Sequence, residues 1–254
     1  MISGGAGADV VDYRGSDAGI TLNLDGSDSS GGDAAGDVYF NIDMYEGSNA
    51  NDTMTADNSG SFLSGYIGND LITGGTGNDT LYGDYAFGAS AGGNDTIDGG
   101  AGADTIDGGL GNDTLTGGLG NDTFNITSST TWDLVTDLTT GDAFVVSDGA
   151  AMVAQNVINF TATSATQNNN TSLDTAYIDV QNVSASTVDF SSVVAGNAGF
   201  NIRVGSSNTL SNTFTGSTFG DIFSYDIGGG ADLSNDTING STGVDTLHLW
   251  SGLG

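Results

Sequence analysis

A nine-residue repeat constrains this chain more than any other feature. It reads Gly-Gly-x-Gly-x-Asp-x-U-x, where U is a large apolar residue, and it runs three times without interruption over residues 99–125. Residues 74–82 form an equally regular copy, and looser copies cover residues 47–55, 65–73 and 90–98. A short fixed period of this kind indicates a solenoid, in which each repeat buries its apolar face only against neighbouring repeats.

Each position of the repeat predicts a distinct piece of structure. The glycines allow a turn with positive φ and close backbone approach, which a Cβ atom would prevent. The x-U-x triplet alternates, so it predicts a very short strand whose middle side chain points inward. Two repeats then form one coil, and each buried apolar side chain contributes roughly 1.5–3 kcal/mol. The predicted inward residues are Val11, Met54, Ile72, Leu81, Ile97, Ile106, Leu115 and Phe124.

The charge of the chain predicts a cation as its partner. There are 32 acidic residues and only two basic ones, Arg14 and Arg203, and every acid except Glu46 is an aspartate. Carboxylates stacked at the ~4.8 Å strand spacing repel one another, and Ca²⁺ prefers carboxylate and carbonyl oxygens as ligands. Nucleic acid and anionic lipid need a basic surface, so the sequence excludes both as partners.

These nonapeptides resemble the repeats of RTX calcium-binding proteins, clearly over residues 47–125 and in part over residues 4–12 and 216–248. The resemblance implies an all-β fold, a parallel β-roll or β-helix solenoid with additional non-repeat β segments, that binds several calcium ions. It also implies that the repeat aspartates and turn glycines hold the metal. The residues that match are Asp9, Asp52, Asp70, Asp79, Asp95, Asp104, Asp113, Asp122, Asp221 and Asp245, with Gly74, Gly75, Gly77, Gly99, Gly100, Gly102, Gly108, Gly109, Gly111, Gly117, Gly118 and Gly120.

In the family that the chain resembles, each ion lies between two turns on the same side of the solenoid, eighteen residues apart in unbroken runs. At the position opposite Asp79 this chain has Ser61 in place of an aspartate, which leaves that site open. The implied pairs are Asp52 with Asp70, Asp95 with Asp113, and Asp104 with Asp122.

A seven-residue insertion, Gly83 to Ala89, interrupts the repeats. We expect it to bulge outward, which would place Asp70 opposite Asp95 and Asp79 opposite Asp104. The alternative is a break that begins a second stack of coils. A disordered glycine-rich linker is disfavoured for the whole block, because linkers do not place Ile or Leu at every ninth residue.

The sequence divides into four predicted parts. They are a leading repeat with a β spacer at 1–46, the calcium-binding β-roll at 47–125, a non-repeat β-rich region at 126–204, and degenerate repeats with a C-terminal segment at 205–254. Alternating residues predict strands. The predicted strands lie at residues 19–24, 38–42, 133–138 and 144–146, and a single short helix is predicted at 148–157. Residues 133–142 resemble the element that closes many RTX domains, which makes Asp133 and Asp137 either further metal ligands or solvent-facing strand positions.

The search for a catalytic site is unproductive, and we expect no enzymatic activity. His248 is the one histidine and there is no cysteine, which excludes a zinc site of the usual kind and any disulfide. Residues 88–92 match Gly-x-Ser-x-Gly, but no helix follows them and no base accompanies them. Aspartates that serve as calcium ligands stay ionised, unlike the acid of a glycosidase pair.

These observations predict a secreted calcium-binding structural protein: a surface-layer, fibre, matrix or adhesive component of a Gram-negative bacterium that folds on binding calcium outside the cell. The start of the chain lacks a cleavable secretory signal, and residues 246–254 are either an uncleaved export signal of the type I kind or a packed final coil. No run of about 18 apolar residues is present to insert in a membrane. Expected partners are further copies of the chain, in fibres or sheets, or a cell-surface polysaccharide. The alternatives are an accessory module of a secreted hydrolase or toxin and a carbohydrate-binding adhesin.

Overall fold

The computed structural model divides into two compact units, Met1–Asp133 and Leu134–Gly254. In the described part the fold is all-β, apart from one 3₁₀ turn at Gly32–Ala34. No helix in that part of the chain has the length and apolar character that a membrane span needs. The residues described are 1–84, 92–127, 131–155, 157, 159–170, 176–180, 187–204, 211–226, 234 and 236–250.

The first unit is built from very short strands, most of them three residues long. They are β1 (Ile2–Ser3), β2 (Val10–Asp12), β3 (Thr21–Asn23), β4 (Tyr39–Phe40), β5 (Met44–Glu46), β6 (Thr53–Thr55), β7 (Phe62–Ser64), β8 (Leu71–Thr73), β9 (Thr80–Tyr82), β10 (Thr96–Asp98), β11 (Thr105–Asp107), β12 (Thr114–Thr116) and β13 (Thr123–Ile126). The next strand, β14 (Trp132–Val135), includes the division between the units.

Successive strands of the first unit alternate between two parallel sheets. One sheet has the order β3-β6-β8-β10-β12 and the other has the order β2-β5-β7-β9-β11-β13, while β1 pairs with β4. Residues at the same repeat position stand beside one another: Ile97 pairs with Ile72 and Leu115, and Ile106 pairs with Leu81 and Phe124. The predicted parallel solenoid is therefore confirmed.

The core of this unit is the row of apolar residues at the eighth repeat position. Val11 is 7% exposed, and the other seven predicted inward side chains are completely buried. Their neighbours in the strands are exposed or only partly buried, as the x-U-x alternation predicts, except that Asp107 beside Ile106 is buried. Asparagines at the fifth position tie coils together at the surface: Asn94 N–H donates to Asn69 Oδ1 at 2.7 Å, and Asn112 N–H donates to Asn94 Oδ1 at 2.8 Å.

The insertion leaves the coil stack continuous. Strand β8 pairs with β10, and β9 pairs with β11, so both sheets cross it without a change of register. The expected placement of Asp70 opposite Asp95 and of Asp79 opposite Asp104 is confirmed, and the alternative of a second stack is wrong. The predicted bulge itself falls on residues 85–89, which lie outside the described residues. The predicted bounds of the insertion are wrong. Gly83, and not Ser90, takes the first position of this turn. A Cβ atom at Gly83 would collide with Asp95 Oδ2 and Gly108 O, and first-position glycines of other turns lie against the equivalent pair of atoms. Ser90 lies outside the described residues.

The second unit has three groups of parallel strands: β16-β19-β21-β23-β25, β15-β18 and β17-β20-β22-β24. Four phenylalanines fill its centre. Phe190 stacks on Phe200 with ring centroids 4.2 Å apart, and Phe144 meets Phe200 edge-on at 5.6 Å. Phe160 lies against both Phe144 and Phe190. The strands are β15 (Ala143–Val146), β16 (Ala151–Ala154), β17 (Asn159–Thr161), β18 (Gln167–Asn168), β19 (Ala176–Val180), β20 (Thr187–Asp189), β21 (Asn201–Val204), β22 (Thr213–Thr215), β23 (Ile222–Asp226), β24 (Thr237–Asn239) and β25 (Thr246–Trp250).

The helix predicted at residues 148–157 is wrong, because strand β16 occupies this segment. Its Met152 and Ala154 are both completely buried and pair with residues of β19. Helix-forming residues favour a helix only weakly, and pairing with a neighbouring coil overrides that preference. The predicted strands at 19–24, 38–42, 133–138 and 144–146 each overlap an observed strand, although two of the observed strands begin one residue earlier, at Trp132 and Ala143.

Candidate metal centres

The sixth-position aspartates of the first unit form two buried rows. In each row, the Oδ1 atom of one aspartate accepts the backbone N–H of the equivalent residue one coil earlier. In one row these bonds join Asp52 to Asp70, Asp70 to Asp95, and Asp95 to Asp113, each at 2.8 Å, and Asp113 to Asp133 at 3.2 Å. In the other row they join Ser61 to Asp79 at 2.6 Å, Asp79 to Asp104 at 2.7 Å, and Asp104 to Asp122 at 2.9 Å. The structure therefore brings together every pair that the sequence predicted.

The second carboxylate oxygen of these residues is the chemically significant one. In most aspartates of the two rows, the Oδ2 atom is buried and accepts no hydrogen bond from the protein. An oxygen in this position is costly when ionised, because it has lost water and gained no partner. The aspartates concerned are Asp70, Asp79, Asp95, Asp104, Asp113 and Asp133.

Burial shifts the pKa values of the same carboxyl groups. Loss of water, together with the charges of neighbouring aspartates, raises the pKa of Asp70 to about 7 and that of Asp95 to about 9. Burial also raises the pKa values of Asp113 and Asp133, which lie in contact. With protein groups alone, Asp70 and Asp95 resist ionisation near neutral pH, so an ionised row is favoured by a positive charge from elsewhere.

Turn carbonyls lie beside the unpartnered oxygens. A Cβ atom at Gly99 would stand 2.5 Å from Asp104 Oδ2 and 2.6 Å from Gly117 O of the next coil, so a carboxylate and a carbonyl oxygen lie close together there. The same combination recurs at Gly74 and Gly83. Among the described residues, no three acidic or histidine side chains are close enough to hold a metal by themselves. The turn carbonyls beside the carboxylates are suited to act with them in a metal site.

The predicted glycines occupy these corners. Gly108 and Gly117 lie directly against the carboxylates of Asp113 and Asp122. At Gly111, which has φ 135°, a Cβ atom would collide with Gly93 O. The glycines that lie against the backbone of the adjacent coil are Gly74, Gly75, Gly77, Gly99, Gly100, Gly102, Gly109, Gly111, Gly118 and Gly120.

This donor set fits calcium. Carboxylate and carbonyl oxygens are the ligands that Ca²⁺ prefers, and it tolerates the variable geometry of turn carbonyls. When bound, calcium supplies the positive charge that the buried carboxylates lack. The side chains that would hold it are Asp70, Asp79, Asp95, Asp104, Asp113, Asp122 and Asp133, together with carbonyls of the turn glycines.

Asp52 and Asp221 differ from the other repeat aspartates, because the serine at the second position of their turns hydrogen-bonds the carboxylate. Asp52 Oδ2 accepts Ser48 N–H at 2.6 Å, and its Oδ1 accepts Ile20 N–H at 2.7 Å. Asp221 accepts Ser217 N–H at 2.7 Å in the same way. Hydrogen bonds already satisfy these two carboxylates, so they offer less to a cation. Their role as ligands stays a prediction.

The remaining predicted aspartates lie at more exposed places. Asp9 donates its N–H to Asp43 Oδ2 at 2.7 Å. Asp43 was missed in the sequence, because no Gly-Gly-x-Gly precedes it. Asp245 is exposed, and its Oδ1 accepts Asp221 N–H at 2.9 Å. Asp137 is only partly buried, whereas Asp133 continues the buried row.

The corner at Ser61 keeps its backbone bond to Asp79 without contributing a carboxylate. Asp57, at the second position of the same turn, accepts Ser59 N–H at 2.7 Å. Its charge adds to burial in raising the pKa of Asp79. His248 is exposed. Residues 88–91 of the Gly-x-Ser-x-Gly match lie outside the described residues.

Comparison with known proteins agrees with this geometry. The family model of the RTX calcium-binding nonapeptide repeat matches four copies, at residues 46–81, 91–124 and 228–252. No curated protein gives a significant match to the chain. The stacked acidic turns, the parallel coils and the family match agree that the chain carries RTX nonapeptide repeats. These repeats bind calcium ions.

Proposed function

We propose that this chain is a secreted structural protein of a bacterial surface or extracellular matrix, and that it folds when calcium binds outside the cell. RTX repeat proteins are typically secreted. The observation that carries the proposal is the pair of buried aspartate rows, in which the Oδ2 atoms of Asp70, Asp79, Asp95, Asp104, Asp113 and Asp133 accept no hydrogen bond from the protein. At neutral pH such rows favour folding where a cation is plentiful.

The calcium supply differs sharply between the two sides of a cell envelope. Extracellular calcium modules bind with dissociation constants of ~10⁻⁴–10⁻³ M, which is far too weak for filling in the cytosol. Binding to the folded state alone stabilises that state as the free ion concentration rises. The chain would therefore stay unfolded during export and fold on arrival.

The composition suits an exposed and durable material. Arg14 and Arg203 are the only basic residues, so trypsin-like proteases have few cleavage points. We propose that the protein is not an enzyme, since its acidic residues are arranged as a ladder instead of around a reactive centre. Among the described strands, β2 pairs with β5 alone, and such an edge can pair with another copy.

A glycan-binding adhesin is the second candidate. A surface cleft of about 160 Å³ in the first unit is lined by Tyr39, Tyr45, Asp28, Asp37 and Asp57, among others. Aromatic faces beside carboxylates are suited to sugar rings and their hydroxyl groups. A cell-surface polysaccharide would be the partner in that case.

Electron microscopy and analytical ultracentrifugation of the calcium-folded chain test the proposal. We expect fibres or sheets whose formation needs calcium, and their dissolution when a chelator is added. A chain that stays monomeric at every calcium concentration would contradict the structural role. Glycan-array binding by that monomer at fixed calcium would instead support the adhesin.

A further inference from the structure

Asp84 occupies an exceptional place in the repeat stack. Gly83 fills the first position of its turn, and Gly92 and Gly93 fill the third and fourth. A Cβ atom at Gly92 would collide with Leu110 of the adjacent coil, and a Cβ atom at Gly93 would collide with Gly68 O. The first two and the next two positions of this turn are therefore separated in the sequence, at residues 83–84 and 92–93. Asp84 stands at the second position, where the uninterrupted repeats have glycine.

The carboxylate of Asp84 is wedged between two consecutive coils. It is 3% exposed, and its Oδ2 accepts Gly93 N–H at 3.1 Å and Leu110 N–H at 3.2 Å. Its own N–H donates to Gly108 O at 3.1 Å. The Oδ1 atom is buried and accepts no hydrogen bond. One oxygen thus holds the side chain in place while the other is left for a ligand within the corner.

The surroundings of Asp84 are acidic. Burial raises the pKa of Asp84 to about 7, and the charges of Asp113 and Asp107 add to this shift. In turn, the charge of Asp84 raises the pKa values of Asp70 and Asp95. No lysine exists in the chain, and Arg14, the one basic side chain of this unit, bonds to Asp12 and Glu46. Among the described residues of this unit, no basic side chain hydrogen-bonds or pairs with the carboxylates of this corner.

We infer that Asp84 is an additional calcium ligand, and that the corner formed by Gly83, Asp95 and Asp113 binds calcium more tightly than the regular corners of the stack. Calcium affinity rises with the number of charged ligands at a site. The regular corner at Asp104 and Asp122 has a glycine, Gly100, at the position of Asp84. Asp84 would act together with turn carbonyls, since the described acidic side chains form no site by themselves.

Calorimetric calcium titration of the full chain tests this inference with Asp84→Asn. Asparagine can keep an acceptor for Gly93 N–H and Leu110 N–H but lacks the charge. We expect the tightest binding step to weaken by ~10-fold or more, with the weaker steps unchanged. The matched control is Asp98→Asn, which removes the same charge from an exposed residue of strand β10 and should change no step by more than roughly two-fold.

A second variant, Asp84→Gly, restores the regular repeat and guards against a failure of Asp84→Asn to fold. We expect the tightest calcium-binding step of this variant to have the same affinity as the regular corners. Wild-type affinity in Asp84→Gly, or in a folded Asp84→Asn, would overturn the inference. A wild-type chain that takes up no calcium would overturn both this inference and the proposed function, whereas unchanged variants of a calcium-binding chain would overturn the inference alone.

Discussion

At the scale of single residues, the repeat aspartate combines two tasks in one carboxylate. Oδ1 of Asp104 accepts Asp79 N–H at 2.7 Å, which links two coils. Oδ2 of the same residue is buried without a hydrogen-bond partner and therefore favours a cation. The two tasks can be separated, because an asparagine can serve as the acceptor but not as the charged ligand.

Asp104→Asn should raise the calcium concentration at the midpoint of folding by ~3–10-fold, since one charged ligand is lost. The measurement is a calcium titration followed by far-ultraviolet circular dichroism. Asp28→Asn, at an exposed position, serves as the control and should leave the midpoint unchanged. An equal midpoint for Asp104→Asn and wild type would show that Asp104 is no ligand.

Gly111→Ala should destabilise the calcium-loaded fold by about 2–3 kcal/mol, because alanine is strained at positive φ and its Cβ would enter the backbone of the adjacent coil. Gly111 has φ 135° and lies against Gly93 O. Thermal unfolding in saturating calcium measures the effect. Gly15→Ala is the control, since Gly15 has open space around it and no left-handed φ. Equal stability of the two variants would refute the close packing of the turns.

At the scale of elements, strands of three residues are too short to be stable alone, and the stack holds them. Ile106 of strand β11 is completely buried between Leu81 and Phe124 of the neighbouring strands. Burial of this kind is repeated at every coil. Stability should therefore depend on the inward row, whereas outward residues should matter little.

Ile106→Ala should lower the free energy of unfolding by about 2–5 kcal/mol, through lost burial and the cavity left behind. Chemical denaturation in saturating calcium measures the loss. Leu119→Ala removes a side chain that is 76% exposed and should cost no more than about 0.5 kcal/mol. Similar losses for both variants would contradict the assignment of inside and outside.

The sequence predicts this stack well where the repeat is regular, because a period of nine fixes both the inward residue and the turn. Asp43 and Asp84 were missed, since neither stands at the sixth position after a Gly-Gly-x-Gly pattern and their places depend on coil contacts that the pattern does not contain. Strand β16 was mistaken for a helix, because local preference carries no information on the coil that pairs with it. The serines beside Asp52 and Asp221 gave no signal either, although they satisfy those carboxylates.

At the scale of the whole molecule, the net charge of −30 and the buried aspartates couple folding to both calcium and protons. The folded-state pKa values of Asp70, Asp84 and Asp95 are raised to about 7, 7 and 9. An unfolded aspartate titrates near pH ~3.9. Protonation therefore favours the folded state in the absence of calcium. This contribution is complete below about pH 4 and is lost as the pH rises through the raised values.

In calcium-free, resin-treated buffer, the β signal in circular dichroism should accordingly be larger at pH 5 than at pH 8. With saturating calcium the order should reverse, because calcium needs the ionised carboxylates that acid removes. Both series are measured on dilute protein, since the isoelectric point near 4.1 favours association in acid. A calcium-free chain that is equally folded at pH 5 and pH 8 would contradict the raised pKa values.

The most direct measurement is circular dichroism at pH 7.5. One sample is titrated with calcium and then receives excess EGTA, and a separate calcium-free sample is titrated with magnesium. We expect a β-sheet spectrum to appear with calcium, to be absent with magnesium alone, and to disappear when EGTA removes the ion. Magnesium demands a stricter geometry than corners rich in carbonyls provide. A native β-sheet spectrum that persists unchanged in excess EGTA would show that the aspartate rows need no metal, and would contradict the central claim.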